Sequence, residues 1–113
     1  MLDNEEVLPK ALLKLVDLDR LVHEPARHLL MAILYVVREA DFLFLHHQTG
    51  LSGGNISSHM NKLEQADYVE IRKTFNDRRP QTIFALTDRG RLAFETYREA
   101  MGAILNGSGE NPP

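Results

Sequence analysis

The sequence predicts one mainly α-helical domain that carries a two-stranded β-hairpin. Apolar residues recur at helical spacing through most of the chain, whereas residues 69–75 alternate with a period of two and the strand-like QTIFALT follows a polar loop. A chain of 113 residues with 43% hydrophobic content can fill one core but not two. We therefore expect one domain over residues 1–105 and a disordered tail at 106–113, which is polar and rich in Gly and Pro.

Caps and helix breakers indicate where the first three helices begin and end. A first helix is predicted over residues 8–20. A second starts near Pro25, where the missing proline N–H costs nothing, and runs through ARHLLMAILYVVRE. That segment is apolar almost all round, so it should be central. Asp41 can cap a short third helix, FLFLHHQT, and Gly50 ends it where a left-handed residue is usual.

The fourth predicted helix covers residues 53–66 and has Ser52 as its N-cap. Three of its apolar residues recur at i, i+4 and i+7 and predict one buried stripe: Ile56, Met60 and Leu63. The opposite face carries short polar side chains. Most such faces are simply solvated, but here Gly53 and Gly54 leave backbone N–H groups uncovered at a helix N-terminus, where an anion can approach.

A hairpin and a last helix complete the predicted domain. The loop between the two strands, residues 76–80, is basic, and Pro80 lies at its edge, where it removes no ladder hydrogen bond. Phe84 and Leu86 can face the core from the returning strand. Thr87 then caps a helix over residues 88–105.

Three helices, a hairpin and a further helix, in that order, are typical of a winged helix-turn-helix domain with extra terminal helices. An α-helix fits the major groove of DNA, and short side chains let its N-terminal end approach the base edges. A basic loop can lie on the phosphate backbone or in the minor groove. The residues predicted to contact DNA are Ser52, Gly53, Gly54, Asn55, Ser57, Ser58, Asn61, Lys62, Arg72, Lys73, Arg78 and Arg79.

The chain also resembles the small single-domain winged-helix transcriptional regulators related to the MarR and ArsR groups. The resemblance rests on ADFLFLHHQTGLSGGNISSHMNKLEQADYVEIRKTF and RRPQTIFALTDRGRLAF, and loosely on LDRLVHEPAR. It implies a recognition helix at 53–66, a wing at 69–87, and a homodimer that binds a palindromic operator in double-stranded DNA. The sequence departs from the family pattern at Asp67, where glycine is usual, and at His46 and His47, where basic residues are more usual.

The two terminal helices, 8–20 and 88–105, are expected to form the dimer interface. They contain more apolar residues than a core of three helices and a wing should need: Leu8, Leu12, Leu15, Val16, Tyr97, Met101, Ile104 and Leu105. Packed across a two-fold axis, these helices would set two recognition helices about 34 Å apart, the spacing of successive major grooves.

The net charge of −3 is unevenly distributed along the chain. Residues 1–24 carry six acidic against three basic side chains, whereas residues 68–81 carry four basic against two acidic ones. A local basic patch on an acidic chain is what docking to DNA requires. The alternative is a winged helix that binds a protein partner instead, because the fold does not dictate DNA binding and Arg78 and Arg79 could be ordinary loop charges.

Several other classes of function are not supported by the sequence. The absence of cysteine excludes disulfides, thiolate catalysis and cysteine-based metal sites. The five histidines have no metal-ligand spacing, and no nucleophile lies in a catalytic arrangement, so we expect no metal, no cofactor and no enzyme activity. The acidic first ten residues and the lack of a long apolar run predict a cytoplasmic protein without a membrane span. A small-molecule effector is left open.

Overall fold

The computed structural model describes residues 19–105. Most of the predicted first helix, including Leu8, Leu12, Leu15 and Val16, and the predicted tail therefore lie outside the described residues. The elements are α1 (Arg20–His23), α2 (Pro25–Val37), β1 (Glu39–Asp41), α3 (Phe42–Thr49), α4 (Gly53–Gln65), β2 (Val69–Asn76), β3 (Arg79–Leu86) and α5 (Asp88–Leu105). Within the described residues, no helix is long and apolar enough to cross a bilayer.

The predicted helix caps are confirmed. Pro25 is the first residue of α2, and the Asp41 carboxylate accepts a hydrogen bond of 2.7 Å from the Phe44 amide at the start of α3. Gly50 ends α3 in the left-handed region with φ 73°, and its amide donates to the His46 carbonyl at 2.9 Å. The Ser52 hydroxyl accepts from the Asn55 amide at 3.2 Å and caps α4.

The sheet has three antiparallel strands in the order β1-β3-β2, not the two that the sequence predicted. The additional strand, β1, is three residues long and pairs Ala40 with Phe84. It forms because Arg38 adopts a positive φ of 74° at the end of α2 and directs the chain along the outer edge of β3. A Glu-Ala-Asp segment has neither the length nor the β-branched residues that would predict a strand.

The turn of the hairpin is shorter than predicted. Asn76 pairs with Arg79, so the loop consists of Asp77 and Arg78 alone, and Pro80 lies inside β3 opposite Phe75. Asp77 and Arg78 both have positive φ, 51° and 69°, which is the geometry of the two-residue turn whose twist matches that of the strands. The pair next to such a turn is hydrogen-bonded and the following pair is not, so Pro80 removes no ladder bond.

The core lies between α2, α4, α5 and the sheet. The predicted α4 stripe is fully buried, together with Leu30, Met31 and Leu34 of α2, and Phe84 and Phe94 close the core from β3 and α5. Helix α2 is less completely enclosed than its composition suggested, because Val36 is 78% exposed within the described residues.

A compact joint connects the end of α4, the start of β2 and the start of α5. Asp67 adopts φ 64°, so the corner needs no glycine, and its carbonyl accepts a 2.6 Å hydrogen bond from the Thr87 hydroxyl. The same hydroxyl accepts from the Gly90 amide at 2.9 Å, and the Thr87 amide donates to the Tyr68 carbonyl at 3.0 Å. A Cβ atom on Gly90 would lie only 1.9 Å from that carbonyl oxygen, so this position requires glycine.

His28 of α2 is half-buried and packs against α5. Its ring lies 5.1 Å from the Phe94 ring and 4.9 Å from the Tyr97 ring, centroid to centroid. Burial, with the nearby charges of Arg98 and His23, lowers the pKa of His28 below its usual value of 6.5, even though a hydrogen bond involving the Val22 backbone favours the protonated ring. The side chain is therefore held neutral in a largely aromatic environment.

We expect His28 to make the stability of the domain pH-dependent. Because the folded pKa is lowered, the unfolded chain binds more protons as the pH falls below about 6.5, and the domain loses stability until the folded pKa is reached. Replacing His28 with Phe should flatten the plot of unfolding free energy against pH between pH 7.5 and 5. Urea unfolding at several pH values measures this, and an unchanged slope would contradict it. Above pH 7.5 the two curves should run parallel.

Candidate nucleic-acid interface

Helix α4 presents a continuous polar face to solvent. Its stripe of Ile56, Met60 and Leu63 is fully buried. Seven of the residues predicted on or beside the outer face are exposed: Ser52, Gly54, Asn55, Ser57, Ser58, Asn61 and Lys62. The predicted orientation of the helix is confirmed by this burial pattern.

The two glycines at the start of α4 have different surroundings. A Cβ atom on Gly53 would lie 3.2 Å from the Phe42 ring of α3, so a small residue there lets the two helices pack closely. Around Gly54 there is open space, and its backbone is free to approach a ligand. Of the pair, Gly54 is the one placed to leave the helix N-terminus accessible.

The turn between α3 and α4 is held by a histidine that the sequence interpretation left without a role. Nδ1 of His46 donates a 2.8 Å hydrogen bond to the Leu51 carbonyl. On the other side of the turn, the Leu51 amide donates to the Thr49 hydroxyl at 3.0 Å. These bonds fix the approach of the chain to Ser52 and hence the direction of α4.

The wing projects beyond the helices. Every residue from Arg72 to Pro80 is exposed. Because side chains alternate across a strand, Lys73 lies on the same face of β2 as Val69 and Ile71, the face that packs against α4. A groove of about 310 Å³ separates the wing from α4, and Ser57, Asn61 and Lys73 are among the residues that line it.

Arg72 is placed differently from Lys73. Its side chain lies on the opposite face of β2, where its guanidinium donates to Glu39 of β1 at 3.0 Å and to Glu70 at 3.3 Å. The hydrogen bond to Glu39 and the two carboxylate charges raise the pKa of Arg72 above its usual value. The structure thus separates Arg72 from the other predicted DNA contacts, because its charge is balanced and directed away from α4.

Comparison with known proteins agrees with this architecture. Residues 26–105 match the family described as "Winged helix DNA-binding domain". The chain belongs to this winged-helix family. The match spans the three-stranded sheet, the paired helices α3 and α4, and α5, and it confirms the winged helix-turn-helix arrangement predicted from the sequence.

The winged-helix domain is similar to one protein in sequence and to several solved structures. An uncharacterized protein of Methanocaldococcus jannaschii is 35% identical over 68 residues, which cover 60% of this chain and 74% of that protein. A transcriptional regulator homologue from Pyrococcus horikoshii OT3 has a TM-score of 0.78 at 28% identity, covering 84% of this chain and 94% of that one. AbfR of Staphylococcus epidermidis, determined in complex with DNA, has a TM-score of 0.67 at 22% identity, over 82% and 68% of the two chains.

A polar cluster connects α4 of the winged-helix domain to the start of α2. Nη1 of Arg27 lies 3.3 Å from Nδ1 of His59, and Oε2 of Glu24 lies 3.4 Å from the same atom. Burial favours the neutral form of Glu24, but hydrogen bonds from the Ala26 and Arg27 amides, with the His59 and Arg27 side chains, lower the pKa of its carboxyl. Helix α4 is therefore attached to α2 by polar contacts as well as by its stripe, which the sequence interpretation missed.

The predicted dimer residues of α5 fall into two groups. Tyr97 is buried within the chain itself, where its hydroxyl and Nδ1 of His23 share a 2.7 Å hydrogen bond. It is therefore not one of the apolar side chains that a partner subunit would have to cover. Met101 packs against the same core and Ile104 is half-buried. The second group is exposed: Leu105 is 77% exposed. Leu92, which the sequence did not predict as a dimer residue, is 63% exposed.

A groove of about 280 Å³ runs beside α5, close to where the described residues begin. Asp19, Tyr68 and Leu92 are among the residues that line it. Desolvation, together with a 2.5 Å hydrogen bond from its hydroxyl to Asp19, raises the pKa of Tyr68 to about 12. In residues 19–105 there is no group of three His, Asp or Glu side chains that could hold a metal ion.

Proposed function

We propose that the chain is a transcriptional regulator that binds a specific sequence in double-stranded DNA as a homodimer. The observation that carries this proposal is the accessible polar face of α4, whose buried stripe fixes the helix while Ser58, Asn61 and Lys62 stay exposed. In the winged-helix family such a helix is well shaped for the major groove. The complex of AbfR with DNA supports the same use of this fold.

The side chains on α4 have the chemistry to read bases. An asparagine can pair with adenine through two hydrogen bonds, and a lysine can donate to guanine. Ser57 and Asn55 lie at the edge of this face, while the amides near Gly54 can approach a phosphate. In this proposal α4 supplies sequence specificity.

The wing supplies affinity that does not depend on sequence. Lys73, on the α4 side of β2, and Arg78 and Arg79, at the turn, are exposed cations that can contact phosphates. Arg72 makes a smaller contribution in this proposal, because Glu39 and Glu70 already balance its charge.

A homodimer would explain the apolar surface of α5. Leu92 and Leu105 are large side chains left exposed on this helix, and Ile104 is only half-buried. Packing α5 and the N-terminal segment across a two-fold axis would cover such residues and place two α4 helices in successive major grooves. The operator would then be palindromic.

The test selects the preferred site from a random DNA pool and then measures binding of variants to it. We expect two inverted half-sites whose centres are 10 to 10.5 base pairs apart, as a dimer requires. Asn61→Ala and Lys62→Ala should each lower the affinity for the selected site by about tenfold or more and spare non-specific binding. Both should leave the unfolding free energy within about 0.5 kcal/mol of the wild-type value, since both side chains are exposed.

Gln65→Ala is the matched control. Gln65 is exposed on the same helix but lies at its C-terminal end, so its loss should change specific affinity little. If Asn61→Ala and Lys62→Ala kept the full ratio of specific to non-specific affinity, α4 would not be the reading element. Failure of the wild-type protein to bind any DNA would instead favour a winged helix that binds a protein partner.

A further inference from the structure

The exposed half of the wing carries an apolar pair that the proposed function has not used. Phe75 on β2 lies opposite Pro80 on β3, and 71% of Phe75 is exposed. These are neighbours across a non-hydrogen-bonded position, where facing side chains come closest. The pair therefore forms one apolar ridge on the hairpin, separated from the turn by the Asn76–Arg79 pair.

The apolar ridge points to the same side of the protein as α4. Phe75 has the same parity along β2 as Lys73, which lines the groove beside Ser57 and Asn61. Arg72, with the opposite parity, is bound to Glu39 on the other face of the sheet. A DNA duplex that contacts α4 would thus meet the side of the wing that displays Phe75.

The surroundings of the apolar ridge are positively charged. Lys73 lies on the same face of the hairpin, Arg78 lies at the turn, and Arg79 pairs with Asn76 on the opposite face. With Asp77, positions 73–80 carry two net positive charges. An exposed aromatic ring with cations around it is complementary to the minor groove, whose sugar walls are largely apolar and lie between two rows of phosphates. Proteins that bind there commonly insert Phe or Pro between base steps.

We propose that Phe75, backed by Pro80, enters the minor groove beside each half-site as an apolar wedge. This rests on the proposed function, because α4 must first bring the wing to the duplex. The arginines at the turn hold the phosphates, while the ring contacts sugars and partly unstacks one base step. The wing then senses how easily that step deforms, so it adds sequence preference outside the bases that α4 reads.

The first experiment separates a direct contact from mere support of the hairpin. Phe75→Ala should weaken binding to the selected operator by about tenfold and leave the slope of log K against log salt unchanged, since no charge is lost. Phe75→Val, which puts another residue with a high preference for strands at this position, should behave in the same way. Thr74→Ala, an exposed neighbour on the opposite face of β2, is the control and should bind like the wild type.

The outcomes are distinct. Full affinity in Phe75→Ala overturns the wedge, and the proposed function survives if Asn61→Ala still weakens the same operator. Weaker binding with a flattened salt slope also overturns it, because the arginines would then have lost their phosphates through disorder of the hairpin. Weaker binding with the wild-type slope supports it.

A second experiment observes the ring itself. The chain contains no tryptophan, so Phe75→Trp introduces a single fluorophore at the wing. Its emission should be quenched, and its access to acrylamide reduced, when the operator is added. Val36→Trp, at a position on α2 that is 78% exposed, should show neither effect. An indole at position 75 that stayed fully accessible in the complex would overturn the wedge.

Discussion

Replacing Gly90 with Ala should cause a large loss of stability of the folded domain. The added Cβ would lie 1.9 Å from the Tyr68 carbonyl oxygen and 2.7 Å from its carbonyl carbon, and these are backbone atoms that cannot turn aside. The joint must open, which separates Thr87 from its partners on Tyr68 and Asp67. We expect a loss of about 3 kcal/mol or more in unfolding free energy, measured by urea denaturation.

Gly102→Ala is the matched control on the same helix. Within residues 19–105, a Cβ atom added at Gly102 would have no neighbouring atom closer than 4 Å outside its own helical turn. Because Ala loses less backbone entropy than Gly on forming a helix, this exchange should raise stability by up to about 1 kcal/mol. Equal effects of the two exchanges would show that helix propensity, not the joint, determines the result.

Removing both arginines at the turn of the wing should cause the largest loss of DNA affinity. With Arg78 and Arg79 changed to Ala, two phosphate contacts disappear, and the slope of log K against log salt should flatten by about 2. That corresponds to roughly a 100-fold weaker complex at 0.1 M salt, on specific and non-specific DNA alike. Titrations at several salt concentrations measure both quantities.

Arg72→Ala provides the control for this double substitution. It removes one cation from the same hairpin, but one that Glu39 and Glu70 hold on the face away from α4. The salt slope should change by much less than 1, and stability by no more than about 1 kcal/mol, as for other exposed ion pairs. A slope as flat as that of the double variant would contradict the placement of the wing.

The features that the sequence predicted well are those decided by local chemistry. Ser52, Gly50 and Asp41 cap or end helices through their own side chains or backbone, and the spacing of Ile56, Met60 and Leu63 is set by the helical repeat. Such features depend on residues a few positions apart. They can therefore be recognised without knowing what the rest of the chain does.

The features that were missed depend on residues far apart in sequence. Strand β1 exists because Ala40 reaches Phe84, and Arg72 is directed by Glu39, which lies 33 positions earlier. The requirement for glycine at position 90 comes from the backbone of Tyr68. No local pattern at any of these positions signals its partner, and Tyr97 was assigned to a dimer because its partner His23 could not be foreseen.

The joint of Asp67, Thr87 and Gly90 has a consequence for how a dimer would measure DNA. It fixes α5 to the end of α4 through hydrogen bonds of 2.6 Å and 2.9 Å, with no flexible linker between them. In a dimer that pairs through α5, the two α4 helices would therefore be held at a fixed distance and orientation. Each additional base pair between half-sites turns the second half-site by about 34° around the duplex, because a full turn takes 10 to 10.5 base pairs. A rigid dimer cannot follow that rotation, so it would recognise the spacing between half-sites as strictly as their sequence.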